Sequence, residues 1–411
     1  MQPQKMKYMR IRSILVIGLM LMGITMFGQH YNNGSYENDY NVITTAVPFV
    51  SIAPDARGGS MGDCGVSSTA DAYSMHYNPA KYVFLKDKYQ IGVGYSPWLH
   101  NLVSDMNLAY LAFGCKITDR DAIGATLRYF NCGNITFVDE NNQNQQEYKP
   151  NEFAIDVAYS RLLTEYLSAS VAGRFIYSNL TQGYSEGSTA GWSVAADVAL
   201  YYKRPLEFRT FDADIAWGLN ISNIGSKVSY SNTSVKKDFI PTTLRFGPSM
   251  NFHIDDYNSI AVNVDITKLL VPTPPIYARD TLGRFIVDEN GEYVIEKGRN
   301  PNVSTVMGMI QSFYDAPGGF KEEMCEFNIG VGVEYWYNNI FSVRTGYFNE
   351  PRTKGNRKYV TFGAGVHYKV FALDVSYLLP VSGKVGTNPL ENTLRFNLTF
   401  NFGGESKTQL N

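Results

Sequence analysis

Cysteine is scarce in this chain, which has four cysteines among 411 residues. Cys64, Cys115, Cys132 and Cys325 are widely spaced, and none of them forms the CxxC spacing of zinc or redox sites. Cys115 and Cys132 could meet across a hairpin, but spacing alone does not decide how cysteines pair. We therefore expect no metal site and no structural disulfide.

Signals for other cofactors and for nucleic acid are also missing. The five histidines form no HExxH motif and no close pair, and neither a Walker A loop nor a dinucleotide-binding fingerprint occurs. A net charge of −2 provides no basic field that would attract nucleic acid. We expect no cofactor and no nucleic-acid partner.

Long apolar runs are absent after residue 28, so the chain cannot be a helical membrane protein, whose spans need about 20 apolar residues. Residues 1–28 have the pattern of a secretory signal peptide: four basic residues precede the apolar stretch 14–27, and Gly28 is a small residue at a plausible cleavage point. The alternative is a retained membrane anchor, for which the apolar stretch is short. No cysteine follows directly, which argues against a lipoprotein.

Aromatic residues (14%) and glycine (36 residues) are plentiful, as is typical of a protein with many strands and turns. From residue 88 onward, segments of about ten residues alternate between apolar and polar, which is the pattern of transmembrane β-strands. In the last segment the apolar set is Leu394, Phe396, Leu398, Phe400 and Phe402, and the polar set is Thr393, Arg395, Asn397, Thr399 and Asn401. A soluble β-sandwich is the alternative, but the signal peptide, the strand number and the aromatic strand ends favour a membrane barrel.

The pattern predicts an all-β membrane protein: an antiparallel transmembrane β-barrel of about fourteen strands, with an N-terminal plug. The predicted strands are 88–97, 105–117, 121–132, 150–162, 166–179, 190–203, 210–222, 241–254, 257–267, 326–337, 340–349, 357–369, 371–380 and 391–402. The connections between them alternate between short and long. Because outer-membrane barrels have short periplasmic turns, we expect both termini in the periplasm of a Gram-negative bacterium.

The polar faces of the strands carry charges of both signs, which would be costly against lipid and therefore face the lumen. The predicted lumen charges are Arg128, Asp156, Arg174, Asp197, Asp214, Arg245, Asp265, Glu334, Arg344, Asp374 and Arg395. Opposite charges on neighbouring strands can pair, so we expect a filled and cross-linked interior. The alternative is a water-filled channel whose charges tune its selectivity.

Four regions lie outside the strands. We expect residues 29–45 to be flexible in the periplasm, residues 46–87 to form the plug of the barrel 88–402, and residues 403–411 to be a periplasmic tail. Residues 268–325 form the largest extracellular loop, with a predicted hairpin around Asn290-Gly291 and a short amphipathic helix after it. Loops of this length are usually functional. The loop could bind a partner or cover the mouth of its own barrel.

One catalytic pattern needs consideration. Residues 58–62 match GxSxG, with Ser60 as the nucleophile and Asp63 and His76 nearby. The motif works on a tight turn between a strand and a helix, and no strand pattern precedes it here. An enzyme that acts on lipid or lipopolysaccharide is therefore an alternative that we do not expect.

The predicted plug contains the most specific stretch of the sequence. Its motif residues are Pro54, Asp55, Ala56, Arg57, Met61, Gly62, Asn78, Pro79 and Ala80. Together with residues 315–320 and Glu322-Glu323 in the long loop, this stretch resembles the PorV family of Bacteroidota type IX secretion systems. Ser60 and Cys64 depart from the family pattern, where small residues such as Ala are expected, as does Tyr77, where Trp is common.

The resemblance implies a FadL-type fourteen-stranded barrel with an N-terminal hatch. It implies an outer-membrane carrier that binds the C-terminal signal domains of exported proteins. Such a carrier takes them from the translocon barrel (SprA/Sov type) to the attachment complex with the sortase PorU. The FadL relatives suggest the alternative, a transporter of hydrophobic small molecules. Candidate partner-binding residues are Trp98, Leu99, Phe313, Tyr314, Asp315, Pro317 and Phe320. Lipid and lipopolysaccharide of the outer membrane are the remaining expected partners.

Overall fold

A computed structural model describes residues 40–99, 105–138, 144–180, 187–208, 211–232, 237–381 and 393–403. The predicted signal peptide, residues 29–39 and residues 404–411 of the predicted tail lie outside these ranges. Within the described ranges, no helix is long and apolar enough to cross a membrane.

The described part of the chain forms eighteen strands. They are β1 (Tyr89–Pro97), β2 (Asn107–Lys116), β3 (Asp121–Asn131), β4 (Ile135–Val138), β5 (Asn144–Tyr148), β6 (Asn151–Leu162), β7 (Leu167–Asn179), β8 (Gly191–Glu207), β9 (Asp212–Gly225), β10 (Thr243–His253), β11 (Asn258–Leu269), β12 (Ile276–Tyr277), β13 (Ile295–Lys297), β14 (Phe327–Tyr337), β15 (Phe341–Asn349), β16 (Lys358–Tyr368), β17 (Phe371–Pro380) and β18 (Thr393–Phe402).

Fourteen of these strands form one closed antiparallel barrel. Each pairs with its neighbour in the chain, except that β3 pairs with β6 and β11 with β14, and the barrel closes where β18 pairs with β1. The prediction of a fourteen-stranded antiparallel barrel is confirmed. The largest differences in the strand bounds are at β8 and β9, which extend to Glu207 and Gly225.

Side chains alternate across the barrel wall because successive residues of a strand point to opposite faces. The outward set is apolar and exposed, as at Val157 (59%) and Trp192 (64%), whereas the inward set of the same strands is buried and includes many polar residues. This arrangement suits a wall with lipid on one side and a filled lumen on the other.

The two ends of the barrel differ in their connections. At one end the turns are tight: Asn338 and Asn339 join β14 to β15 with φ of 53° each, and Lys369 lies between β16 and β17 with φ of 55°. Two successive residues with positive φ are typical of type I′ hairpin turns, and asparagine tolerates that conformation. The other end carries the long connections, including residues 133–150 and 270–326, and we call it the long-loop end.

Residues 46–85, which we call the luminal segment, lie inside the barrel. The segment contains short helical turns at Pro48–Ser51, Ala56–Gly59, Ser74–Tyr77 and Pro79–Phe84. At the long-loop end Ala46 donates its N–H to the Phe239 carbonyl (2.8 Å), and near the opposite end Ser168 donates to the Ala80 carbonyl (2.7 Å). The segment therefore runs along the length of the lumen.

Residues 40–45 differ from the expectation for the N-terminal region. They were expected on the side of the short turns, in the periplasm. Instead Asn41 donates its N–H to the Thr353 carbonyl (3.0 Å), and its side chain donates to the Pro274 carbonyl (3.1 Å). Both partners belong to the long-loop end. The reason is tertiary: the luminal segment runs the whole length of the barrel before β1 begins.

The long loop contains the predicted hairpin, to which a further strand-like piece is added. Val287 pairs with Tyr293 across the turn at Gly291, whose φ is +80°. Residues 276–280 add a third extended piece that was not predicted. Tyr277, Phe285 and Tyr293 recur every eight residues, and their rings contact one another at centroid distances of 5.2–6.2 Å. Residues 276–297 thus consist of three short extended pieces, each of which contributes one of these aromatic rings. Two short helices follow, Thr305–Gln311 and Phe320–Met324.

Candidate functional site

The luminal segment is held by a chain of buried charges that begins at Arg57. Asp55 caps the turn Ala56–Gly59 by accepting a hydrogen bond from the Gly58 N–H (2.7 Å), which presents Arg57 to the barrel wall. Arg57 donates to both carboxylate oxygens of Glu334 on β14 (2.9 and 2.8 Å) and to Asp71 of the segment itself (2.9 Å). Such bidentate pairing fixes orientation as well as position.

The charge chain continues along the wall. Arg344 on β15 donates to Glu334 (2.7 Å) and to Asp374 on β17 (2.5 Å), and Arg344 and Glu334 are almost completely buried. Arg57, Glu334, Arg344 and Asp374 therefore connect the segment to β14, β15 and β17, which lie on the same side of the barrel. Removing one member would leave its partners buried and unpaired, which is far more costly than losing an exposed pair.

Next to this chain the segment approaches the wall so closely that only glycine fits. A Cβ at Gly346 would lie 2.1 Å from the carbonyl carbon of Met61, and one at Gly332 would lie 2.4 Å from the Met61 Cβ. A Cβ at Gly330 would lie 2.6 Å from the Gly62 carbonyl oxygen. Gly330 and Gly332, which alternate on β14, therefore lie where the backbone of the luminal segment approaches the wall.

The other motif residues of the segment are anchored by backbone hydrogen bonds. Ala56 donates its N–H to Asn397 (2.6 Å), and Asn78 caps the turn Pro79–Phe84 and donates to the Leu200 carbonyl (2.9 Å). The Pro79 carbonyl accepts from Ser160 (2.7 Å). All nine predicted motif residues belong to the luminal segment, and Pro54, Met61, Gly62 and Ala80 are buried there.

The predicted lumen charges lie on inward-facing positions with the following partners. Arg174 pairs with Asp156 and with Asp197 (3.2 Å), Arg245 with Asp265 (3.8 Å), Asp214 with Lys203 (3.2 Å) and His253 (3.3 Å), and Arg395 with Asp63 (3.5 Å). Arg128 differs, because it donates to the backbone carbonyls of Phe49, Val50 and Ile52. Asp265 also accepts from the N–H groups of Gly65 and Val66, so it positions the segment.

The sequence reasoning missed one inward carboxylate, Glu152 near the start of β6. It is 3% exposed and accepts a hydrogen bond from the Ser178 hydroxyl (2.6 Å). The alternation of the strand could have revealed it, because residue 152 is an even number of positions from Asp156 and therefore lies on the same face of β6. Glu152 was overlooked because it is only the second residue of the strand.

Ser60 and His76 do not form a catalytic pair. The Ser60 hydroxyl is buried and donates to the Arg57 carbonyl (2.7 Å). His76 has its Nδ1 3.1 Å from the guanidinium of Arg128, which donates to it. A nucleophilic serine needs a base within hydrogen-bond reach of its hydroxyl, and here that proton is directed to a backbone oxygen.

At the long-loop end, five charged residues form what we call the loop base: Lys268, Asp315, Glu323, Glu326 and Lys354. Lys268 is completely buried and pairs with Glu326 and with Glu323 (3.4 Å), and Lys354 pairs with Glu326 (3.0 Å). Asp315 accepts from the Thr273 N–H (3.1 Å). Burial raises the pKa of Asp315 from its ordinary value of 3.8 to about 6.

The candidate partner-binding residues fall into two groups. Phe313, Tyr314 and Phe320 are exposed, with Phe320 at 79%, whereas Asp315 is 1% exposed and belongs to the loop base. Asp315 is therefore not a surface residue, since its carboxylate bonds within the loop. Pro317, Trp98 and Leu99 are half-buried, and Trp98 packs against the apolar cluster around Phe49 instead of forming an exposed tip.

A cavity of about 940 Å³, which we call the vestibule, lies in the lumen toward the long-loop end. The luminal segment forms part of its wall and floor through Phe49, Ile52 and Asp63. One side is apolar, with Trp98, Met106 and Phe130, and the other side carries charged residues such as Arg245 and Arg395. A pocket of this size could hold a ligand or a short polypeptide segment.

Comparisons with known proteins gave the following results. The family model described as "Type IX secretion system protein PorV" matches residues 35–276. Among curated proteins, no sequence matches the chain. Similar solved structures include the toluene transporter TbuX of Ralstonia pickettii (11% identity, 85% of this chain and 98% of that chain, TM-score 0.44) and the toluene transporter TodX of P. putida (13%, 85% and 98%, TM-score 0.45). A Pseudomonas aeruginosa FadL homologue is also similar (10%, 88% and 100%, TM-score 0.41).

Proposed function

Because this chain belongs to the PorV family of type IX secretion system proteins, we propose that it is a carrier for exported proteins in the outer membrane. It binds their C-terminal signal domains, takes them from the translocon barrel of the SprA/Sov type and passes them to the attachment complex with the sortase PorU. The short-turn end, where β1 begins and β18 ends, faces the periplasm, and the apolar outer wall contacts lipid and lipopolysaccharide.

The family match carries this proposal, and the exposed apolar residues of the long loop support it. We call these residues the loop surface: Val306, Met307, Ile310, Phe313, Tyr314, Phe320 and Met324, which are 47–79% exposed. The loop base beneath them consists of buried ion pairs, so the apolar side chains are held outward on an ordered support. Exposed apolar patches on an ordered loop are typical of protein-binding sites.

The filled lumen favours a carrier over the alternative of a transporter for hydrophobic small molecules. Between the vestibule and the short-turn end, the luminal segment contributes Arg57 and Met61 to a layer that contacts β14 and β15 directly. A hydrophobic solute would have to pass buried charges such as Glu334 and Arg344, whose desolvated pairs it cannot replace. In this proposal residues 46–87 act as a permanent plug.

The first test is deletion of the gene, followed by locating proteins that carry type IX C-terminal signals. We expect these proteins to be retained with their signal domains uncleaved, inside the cell or on the translocon. Normal surface display, with lost uptake of a hydrophobic nutrient instead, would contradict the carrier and favour the transporter.

A second test separates the loop surface from the rest of the long loop. We expect the double variant Ile310→Ser with Phe320→Ser to reduce surface display of signal-bearing proteins while the barrel remains folded, because both side chains are exposed. The matched control is Leu282→Ser, which removes an equally exposed apolar side chain (75%) from residues 276–297. Equal losses in both variants would show that the loop surface is not the docking site.

A further inference from the structure

Glu152 differs from the other inward-facing carboxylates of the barrel in its partners. Six other inward-facing carboxylates on the described strands are buried or half-buried, and each lies within 4.0 Å of a cationic side chain: Asp156, Asp197, Asp214, Asp265, Glu334 and Asp374. Among the described residues, no Lys, Arg or His comes within that distance of Glu152. From the described residues its carboxylate accepts a single hydrogen bond, which comes from the neutral hydroxyl of Ser178.

The surroundings of Glu152 make this lack of a partner costly. The residue lies on the wall of the vestibule, on the side formed by Phe49, Phe130 and Met106. A carboxylate held among apolar side chains without a counter-charge is strongly disfavoured. A basic group that entered the vestibule would find both a counter-charge and apolar surface.

We propose that Glu152 is the receptor for a Lys or Arg side chain that a bound protein inserts into the vestibule. The aromatic and aliphatic wall suits such a side chain, because the methylene stem of Lys or Arg packs on apolar surface while its charged head reaches a carboxylate. The other side of the vestibule carries Arg245 and Arg395. Each guanidinium has five N–H donors, more than it uses in its pair with Asp265 or Asp63, and can donate to the carbonyls of an inserted segment. The polypeptide nature of the ligand rests on the proposed function, in which the partner is a signal domain.

The position of the vestibule fits this role. It lies at the same end of the barrel as the loop surface, so a domain docked there could reach it with an extended segment. Arg128 holds the Phe49 and Val50 carbonyls, which keeps the wall formed by the luminal segment in place. Glu152 would supply charge recognition, and the loop surface would supply most of the apolar contact.

The test uses the full-length protein in detergent and a purified C-terminal signal domain of a protein exported by the same system, with the dissociation constant measured by calorimetry. We expect Glu152→Gln to weaken binding by at least about tenfold. The matched control is Asp214→Asn, which neutralises an inward carboxylate near the short-turn end. We expect this control to change the affinity by less than about twofold.

Melting temperature separates recognition from a structural role. Since Glu152→Gln removes a buried carboxyl group that has no cationic partner among the described residues but keeps an acceptor for Ser178, we expect the variant to melt no lower than the unmodified protein. A lower melting temperature with unchanged affinity would overturn the inference and assign Glu152 to folding.

A double-mutant cycle identifies the partner residue. Each Lys and Arg of the signal domain is replaced by Met and measured against both the unmodified protein and Glu152→Gln. One replacement should weaken binding to the former and have no further effect on the latter. If no basic residue shows this coupling, the inference is wrong although the carrier function stands. If the unmodified protein does not bind the domain at all, the proposed function itself fails.

Discussion

The luminal segment and the long loop are both additions to the same barrel, but they use their side chains in opposite ways. The segment is buried against glycines of the barrel wall, and Arg57 forms ion pairs with Asp71 of the segment and with Glu334 of the wall. The long loop buries its charges at the loop base and leaves apolar side chains such as Phe320 exposed. Buried charges held in ion pairs are typical of a structural element, whereas exposed apolar residues on an ordered support indicate a binding surface.

The largest expected effect is at Arg57. Arg57→Met leaves Glu334 and Asp71 without this partner inside the lumen, so we expect a loss of about 3–5 kcal/mol in the free energy of unfolding. The measurement is thermal unfolding in detergent, followed by the shift in gel migration of the heated barrel. Arg284→Met is the control, because its pair with Asp280 lies on the exposed loop with Arg284 74% exposed. That variant should unfold at the same temperature as the unmodified protein, because exposed ion pairs contribute little to stability. Equal shifts would contradict the contrast between the two regions.

A smaller effect is expected where the segment touches the wall. Gly346→Ala places a methyl group against the Met61 backbone, and we expect a cost of about 1–3 kcal/mol from overpacking in the same unfolding measurement. Gly173→Ala on β7 is the matched control, since a Cβ there meets no atom within 4 Å. If Gly346→Ala melts like Gly173→Ala, the segment is not held against the wall as the structure indicates.

The smallest effect concerns the pH dependence of the loop base. The folded-state pKa of Asp315 is raised to about 6, so the folded loop binds this proton more tightly than the unfolded chain. Loop stability should therefore fall as pH rises from about 4 through about 6, and Asp315→Asn should remove this dependence. The measurement is amide hydrogen exchange of Thr305–Gln311 at pH 5 and pH 7, corrected for intrinsic exchange rates.

Asp280 provides a control of opposite sign. Hydrogen bonds from Arg284 lower its pKa, so its contribution is lost as pH falls. We therefore expect exchange in residues 280–284 to become faster at low pH. If the helix Thr305–Gln311 shows no pH dependence that Asp315→Asn removes, the buried carboxylate does not limit loop stability.

Much of the barrel could be predicted from the sequence because each strand repeats a local rule. On β7, Arg174 points inward and Val171 points outward because one has an even and the other an odd position in the strand. This alternation follows from the backbone geometry of a single strand. The hairpin at Gly291 was predicted because a positive φ favours glycine locally. None of these predictions required knowledge of what lies across the lumen.

Several features could not be predicted because they depend on which groups meet after the barrel closes. Asp315 has the same local surroundings in sequence as its exposed neighbour Tyr314, and only packing against Thr273 shows that it is buried. Glu152 was overlooked, and its lack of a cation is visible only once its neighbours on β3 and β7 are known.

By itself, the sequence determined the strand number, the faces of the strands and the family resemblance of the luminal segment, because alternation and motifs are properties of contiguous residues. The tertiary structure alone decided that residues 40–45 lie at the long-loop end, that Arg57 pairs with Glu334 and that Glu152 has no cationic partner among the described residues. Those facts depend on the path of the segment through the closed barrel and on the register between strands, which bring together residues hundreds of positions apart.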